Sequence, residues 1–155
     1  MMNQREVVLI VDDERFNINV LVDRLSSDYD TMVAKNGLQA LKRAQGARAP
    51  DLILLDIMMP EIDGYEVCRK LKEDDNTRDI PIIFISALTN VGDEEKGLEL
   101  GAVDYITKPI KIPIVQARVA AHPRGCSHRP QPLFLLSIPI CFTLKNGSFP
   151  SASRQ

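Results

Sequence analysis

The most constraining feature of the sequence is a short apolar run that ends on a carboxylate. Residues 52–55 read Leu-Ile-Leu-Leu, Asp56 follows directly, and Pro60 closes the segment. A continuous run of strand-forming apolar residues is typical of a strand buried on both faces of a parallel sheet. Taken alone, Asp56 could be a polar stop or a helix cap. At the carboxyl end of such a strand, however, it would face the crevice where open α/β sheets bind ligands.

Similar apolar runs alternate with segments of helical spacing along residues 1–121. In the first such segment Ile18, Leu21, Val22 and Leu25 recur at helical spacing, which is typical of an amphipathic helix. Five strands that alternate with helices through short connections predict an α/β fold: a doubly wound, five-stranded parallel sheet with helices on both faces. The predicted strands are residues 7–11, 31–34, 52–55, 81–85 and 104–107, and the last two predicted helices are residues 92–100 and 111–121.

Charge divides the chain into two parts. The whole chain carries a formal charge of −2, which is too mild to indicate a nucleic-acid or membrane surface. Residues 1–121 hold 15 basic and all 21 acidic residues, whereas residues 122–155 hold four basic residues and no acid. We therefore expect one globular domain over residues 1–121 and a C-terminal tail over residues 122–155.

Neither secretion nor membrane insertion is indicated. The apolar run of residues 7–11 is too short for a secretory signal, and residues 133–144 are too short to span a membrane. The cysteines give neither a disulfide framework nor a zinc pattern, and Cys68 fits a buried small hydrophobe. We expect a cytoplasmic protein with no membrane span. The cysteines are Cys68, Cys126 and Cys141.

Polar residues follow the predicted strands at their carboxyl ends. Because these ends meet at one edge of a doubly wound sheet, the side chains should converge on one crevice. Read separately, the aspartate pair could cap the first helix, the serine could be a turn residue and the lysine could be solvated. The residues are Asp12 and Asp13 after the first strand, Asp56 after the third, Ser86 after the fourth and Lys108 after the fifth.

Three carboxylates in one crevice repel one another, and their pKa values would rise unless a cation compensated. Mg²⁺, or Mn²⁺, fits because it takes one or two carboxylates together with water and phosphate oxygens. We expect Asp12, Asp13 or both to bind it together with Asp56, and the backbone carbonyl of Met58 is a further candidate ligand. With a cation present, Asp56 could act as a nucleophile toward phosphorus.

Four motifs together closely resemble the receiver domain of bacterial two-component response regulators, the CheY-like superfamily. The resemblance covers residues 5–121 and implies the flavodoxin-like strand order 2-1-3-4-5. It also implies a cis peptide bond between Lys108 and Pro109. The motifs are Leu9-Ile-Val-Asp-Asp-Glu14, Leu54-Leu-Asp-Ile-Met-Met-Pro60 with Asp63-Gly64, Ile85-Ser-Ala87, and Gly101-Ala-Val-Asp-Tyr-Ile-Thr-Lys-Pro109.

The resemblance implies a role for each matching residue. Phosphoryl transfer from a sensor histidine kinase would be Mg²⁺-dependent, and the chain would catalyse only its own phosphorylation and dephosphorylation rather than act on external substrates. The implied roles are Asp56 as phospho-acceptor, Asp12 and Asp13 as the acidic metal pair, Met58 as a backbone metal ligand, Ser86 as the switch hydroxyl, Lys108 as the invariant lysine and Tyr105 as the aromatic residue that swings inward on activation.

Phosphorylation would then change the surface formed by the fourth helix, fifth strand and fifth helix. That surface would bind a partner or a second receiver as a homodimer, and we expect no direct nucleic-acid binding. The alternative interpretation is that Tyr105 is an ordinary strand residue.

The last helix resembles the corresponding helix of regulators that continue into an enzymatic output domain for cyclic dinucleotides, yet residues 122–155 contain no recognisable output domain.

Two other classes of protein compete with the receiver. A metal-dependent phosphatase or phosphotransferase of the haloacid-dehalogenase type would require a second acid two residues after the nucleophile, where this chain has Met58. A flavodoxin-like cofactor binder would require a phosphate-binding loop rich in Gly, Ser and Thr after the first strand, and residues 12–17 contain none of these residues.

For the tail three interpretations stay open: a disordered or non-native terminus, a segment packed on the receiver, and a segment that binds a partner or a membrane surface.

Overall fold

Five strands and five helices alternate along the chain in a computed structural model that describes residues 4–87 and 91–122. The strands are β1 (Val7–Val11), β2 (Asp30–Ala34), β3 (Leu52–Asp56), β4 (Ile82–Ser86) and β5 (Asp104–Thr107). The helices are α1 (Arg15–Leu25), α2 (Gly37–Ala44), α3 (Gly64–Glu73), α4 (Val91–Glu99) and α5 (Ile112–Ala121).

All paired strands of the sheet are parallel, and their order is β2-β1-β3-β4-β5. The predicted fold class and strand order are therefore confirmed. From β1 the chain first adds β2 on one side and then β3 on the other. This reversal opens a crevice at the carboxyl ends of β1 and β3, which is where ligands bind in sheets of this kind.

Apolar side chains fill both faces of the sheet because every residue of β1, β3 and β4 is buried. Alternate strand residues point to opposite faces, so Leu9 and Ile53 pack in one cluster while Ile10 and Leu54 pack in the other. Helices α2 and α3 cover the first cluster, and α1 and α5 cover the second. Cys68 is fully buried in the first, as expected of a small hydrophobe.

Two polar residues that each precede a glycine cap the helices α2 and α3. The side chain of Asn36 accepts a hydrogen bond from the Gln39 N–H at 2.8 Å, and that of Asp63 accepts one from the Glu66 N–H at 2.9 Å. Each satisfies a backbone donor that the first turn of a helix leaves without a partner. Where ends were predicted, the observed ones differ by at most one residue, as for α5, which begins at Ile112 rather than at residue 111.

The peptide bond between Lys108 and Pro109 is cis, as the resemblance implies. Within residues 4–87 and 91–122, no helix is long and apolar enough to cross a membrane. The predictions for the tail fall on residues 123–155, which lie outside the described residues.

Candidate functional site

The register of the sheet brings the polar strand ends together. Val11 of β1 is paired with Leu55 of β3, so the next residues along these strands, Asp12 and Asp56, lie side by side. On the other side Asp56 is paired with Ile85, which places Ser86 one step further along β4. The convergence expected from the sequence is thus a direct consequence of parallel pairing.

Asp56 is the last residue of β3 and is only 3% exposed. The following loop turns back tightly, with the Gly64 N–H donating to the Ile57 carbonyl at 2.8 Å. A Cβ on Gly64 would lie 2.3 Å from the Asp56 carbonyl oxygen, so only glycine permits this approach. The first turn of α3 therefore packs directly against the backbone of Asp56.

Lys108 bridges the two buried aspartates. Its Nζ lies 3.2 Å from Asp12 Oδ2 and 3.3 Å from Asp56 Oδ1. Its backbone N–H donates to the Ser86 carbonyl at 2.7 Å, which fixes the residue beside β4. Burial opposes the charge of the ammonium group, yet the two carboxylates outweigh that effect and raise the pKa of Lys108.

Asp12 is held by several donors. Its Oδ1 accepts the Glu14 backbone N–H at 2.9 Å, and its Oδ2 accepts the Asn17 side-chain amide at 3.1 Å in addition to Lys108. Asp12 is 2% exposed, whereas its neighbour Asp13 is exposed at the mouth of the crevice. The suggestion that Asp12 caps α1 is partly right, because it bonds the N-cap residue Glu14, but it also faces the site.

Negative charge exceeds positive charge here. Carboxylate oxygens of Asp12, Asp13 and Asp56 all lie within 4.8 Å of one another. Burial, followed by repulsion from Asp12, raises the pKa of Asp56 to about 7, although Lys108 acts in the opposite direction. A hard divalent cation would relieve this repulsion, and carboxylate oxygens are the ligands that Mg²⁺ prefers. The donor set therefore fits such an ion.

Comparison with known proteins identifies the fold and the motifs with one family, because residues 8–120 match the response regulator receiver domain. The chain belongs to the response regulator receiver family. The response regulator PleD of Caulobacter vibrioides is 48% identical over 114 residues, which cover 72% of this chain and 25% of PleD. The polar-differentiation response regulator DivK of Brucella anthropi is 45% identical over 107 residues, covering 68% of this chain and 86% of DivK.

A solved structure gives the same result. The BeF₃-activated receiver domain of DrrB, a Thermotoga maritima protein, is 29% identical with a TM-score of 0.68, covering 76% of this chain and 96% of that domain. The chain thus contains a phosphorylation-controlled signalling receiver of two-component systems, and the haloacid-dehalogenase alternative is not favoured. Since PleD is matched over only a quarter of its length, the match concerns the receiver domain.

In this receiver Ser86 and Tyr105 lie next to each other beneath α4. Both are buried, and the Ser86 hydroxyl lies near enough to the Tyr105 hydroxyl to lower its pKa. Burial raises the pKa of the Tyr105 hydroxyl, and the proximity of Ser86 partly offsets that effect. The Tyr105 ring also lies close to Gly97 of α4, where an added Cβ would be 3.6 Å from it. Tyr105 is therefore in contact with the hydroxyl and with the helix that the predicted switch requires.

Met58, by contrast, projects outward, with 61% of its surface exposed. A haloacid-dehalogenase enzyme would carry its second acid at this position. The side chain of Met58 cannot supply a carboxylate, and its backbone carbonyl as a metal ligand stays a prediction.

Asn17 was missed by the sequence reasoning. It lies in the first turn of α1, and its side-chain amide contacts Asp12 and Glu14. Only part of the signal was available: Asn17 follows Glu14 by three residues, a helical spacing, whereas Asp12 lies five residues earlier and outside the helix.

Proposed function

We propose that Asp56 accepts the phosphoryl group in this receiver. The observation that carries the proposal is the burial of Asp56 at the end of β3, with the Lys108 ammonium 3.3 Å away and two more carboxylates within 4.8 Å. A carboxylate in this setting combines a nucleophilic oxygen with a cation on one side and a metal-binding group on the other.

The donor would be a phosphohistidine of a sensor histidine kinase. A carboxylate oxygen of Asp56 attacks phosphorus, the bond between phosphorus and the histidine nitrogen breaks, and the electron pair stays on that nitrogen. The product is an acyl phosphate on Asp56. Water later attacks the same phosphorus, the bond to the Asp56 oxygen breaks, and inorganic phosphate leaves as the carboxylate is regenerated. The chain would in this way catalyse only its own phosphorylation and dephosphorylation.

Asp12, Asp13 and Asp56 would hold Mg²⁺, with the Met58 carbonyl as a further ligand. When bound, the cation would neutralise charge on the transferring phosphoryl group. Lys108 would place its ammonium on one phosphoryl oxygen, and this requires it to loosen its present contacts with the two buried aspartates.

Ser86 would donate its hydroxyl to another phosphoryl oxygen. Because Ser86 and Tyr105 are buried on the neighbouring strands β4 and β5, a movement of Ser86 would change the packing of Tyr105 under α4. The surface of α4, β5 and α5 would then differ between the two states and bind a partner or a second receiver. Leu98 and Val103 are exposed on these elements or beside them and offer apolar area for such a contact.

The test is phosphorylation of the full chain with acetyl phosphate and Mg²⁺, followed by intact mass spectrometry. A single phosphoryl adduct is expected in the natural chain and in Asp28→Asn, a control at an exposed site. No adduct is expected in Asp56→Asn. An adduct that persists in Asp56→Asn would refute the assignment, and removal of Mg²⁺ by EDTA should abolish the adduct in every variant.

A further inference from the structure

Asn17 contacts two carboxylates with one amide group. Its Nδ2 lies 3.1 Å from Asp12 Oδ2 and 3.2 Å from Glu14 Oε2. Both neighbours are acceptors, so the amide must turn its NH₂ toward them. Asn17 therefore serves Asp12 as a neutral donor and adds no charge to a site that already has an excess of carboxylates.

The other two donors to Asp12 differ in whether they remain bound to it during the proposed reaction. The Glu14 backbone N–H binds Oδ1 and is fixed by the start of α1. Lys108 binds Oδ2 but is shared with Asp56, and in the proposed reaction it turns to the phosphoryl group. Asn17 also binds Oδ2 and contacts no reacting atom. It is thus the side-chain donor that Asp12 can keep when Lys108 leaves.

We propose that Asn17 is a positioning residue for the Asp12 carboxylate. It holds Oδ2 in the orientation that the cation requires, both before phosphorylation and while Lys108 is engaged elsewhere. The inference rests on the proposed function, because it assigns Asn17 to the same cation site. Partners that orient metal-binding carboxylates from behind commonly change metal affinity by about 10- to 100-fold when they are removed. The partial exposure of Asn17 favours the lower end of that range.

The experiment measures the dissociation constant of Mg²⁺ for the full chain by isothermal titration calorimetry, without any phosphodonor. Asn17→Ala should weaken Mg²⁺ binding about tenfold. Asn19→Ala is the matched control, since it makes the same change at an exposed position of the same helix. Its Mg²⁺ affinity should equal that of the natural chain. The two variants should share one thermal midpoint in EDTA, which separates positioning from a general loss of stability.

Glu14→Gln separates the two acceptors of the amide. It removes the charge of Glu14 while Asn17 still binds Asp12, and Mg²⁺ affinity should change less than about twofold. Equal affinities of Asn17→Ala and Asn19→Ala would overturn the inference, as would a loss in Glu14→Gln as large as that in Asn17→Ala. If the natural chain formed an acyl phosphate and bound Mg²⁺ but Asn17→Ala bound it equally well, only this inference would fail. Absence of both Mg²⁺ binding and adduct in the natural chain would remove the proposed function with it.

Discussion

The two ends of the sheet both carry aspartates, but they use them differently. At the carboxyl ends Asp12 and Asp56 are buried, and the single ammonium of Lys108 serves both. At the amino end of β5, Asp104 has partners of its own: Arg118 at 3.1 Å and His122 at 3.2 Å. Negative charge is thus in excess around Asp12 and Asp56, whereas Asp104 is matched by its own basic partners.

Two other aspartates at the amino ends also have partners. Asp30 at the start of β2 pairs with Arg48 at 2.6 Å. Asp51, which precedes β3, accepts the Val7 backbone N–H at 2.7 Å and so links β3 to β1. These groups fix the ends of strands, and among the described residues neither belongs to a cluster of carboxylates that could hold a cation.

The pKa values of Asp56 and Asp104 also differ between the two ends of the sheet. Burial and then repulsion from Asp12 raise the pKa of Asp56 to about 7. Burial also acts on Asp104, but hydrogen bonds from His122 and from the Tyr105 N–H, together with the charge of Arg118, lower its pKa. The pKa of an aspartate is therefore raised at the carboxyl end of the sheet and lowered at the amino end. An uncompensated shift of this kind indicates a functional site, whereas the compensated one indicates a structural pair.

The largest effect on stability is expected from Lys108→Met. This change leaves two buried carboxylates without their cation, and such a loss costs about 3 kcal/mol in the free energy of unfolding. Urea denaturation in EDTA at pH 8 measures it, with exposed Lys42→Met as the control. Mg²⁺ should restore part of the loss because it neutralises the same carboxylates. A cost no larger than that of the control would mean that the carboxyl ends hold no excess charge.

Asp56→Asn should act in the opposite direction. The folded chain holds a proton on Asp56 up to about pH 7, whereas an unfolded aspartate loses it near pH 4, so stability falls as the pH rises between these values. Asparagine has no titratable proton at this position, so the variant does not lose stability in this pH range for that reason. In EDTA at pH 8 the variant should be more stable than the natural chain by about 2 kcal/mol.

Thermal unfolding at several pH values tests the sign. The advantage of Asp56→Asn should disappear below about pH 4, where both chains are neutral at this position. It should also shrink when Mg²⁺ is added to the natural chain. An advantage that did not depend on pH would indicate a packing effect instead of relieved repulsion.

Asp104→Asn tests the balanced end. Here the folded pKa is lowered, so the stability that the carboxylate contributes is present above its unfolded pKa and is lost as the pH falls through the folded value. At pH 7 the variant should lose about 1.5 kcal/mol, the typical contribution of a hydrogen bond to a charged group. The difference between variant and natural chain should vanish in acid, as it does for Asp56→Asn, but above that range the two substitutions should act with opposite signs.

The convergence of the site at the carboxyl ends could be predicted from the sequence, and the reason is physical. Parallel strands align their carboxyl ends, so Asp12, Asp56 and Ser86 had to meet once β1, β3 and β4 were recognised. The pairing of Asp104 with His122 could not be predicted, because it depends on where the last turn of α5 lies relative to the start of β5.

Asn17 shows a second limit. Its helical spacing from Glu14 was visible, but an asparagine on a helix surface commonly points to solvent. Only the direction of the Asp12 carboxylate, which depends on Lys108 from the other end of the chain, reveals the contact. Short-range patterns predicted the elements and the convergence of the site, whereas the donors around each carboxylate needed the folded structure.

The smallest effect is expected from Arg118→Met, and it sharpens the comparison with Lys108→Met. Both changes remove a cation that contacts an aspartate, but the Arg118 side chain is 51% exposed and that of Lys108 is 18% exposed. Water and His122 can replace the lost guanidinium, so the free energy of unfolding should fall by only about 0.5 kcal/mol. Raising the salt concentration should remove even this difference, since exposed pairs are screened. A cost for Arg118→Met that equalled the cost for Lys108→Met would contradict the comparison, because neither the exposure of the cation nor the second partner of Asp104 would then reduce the loss.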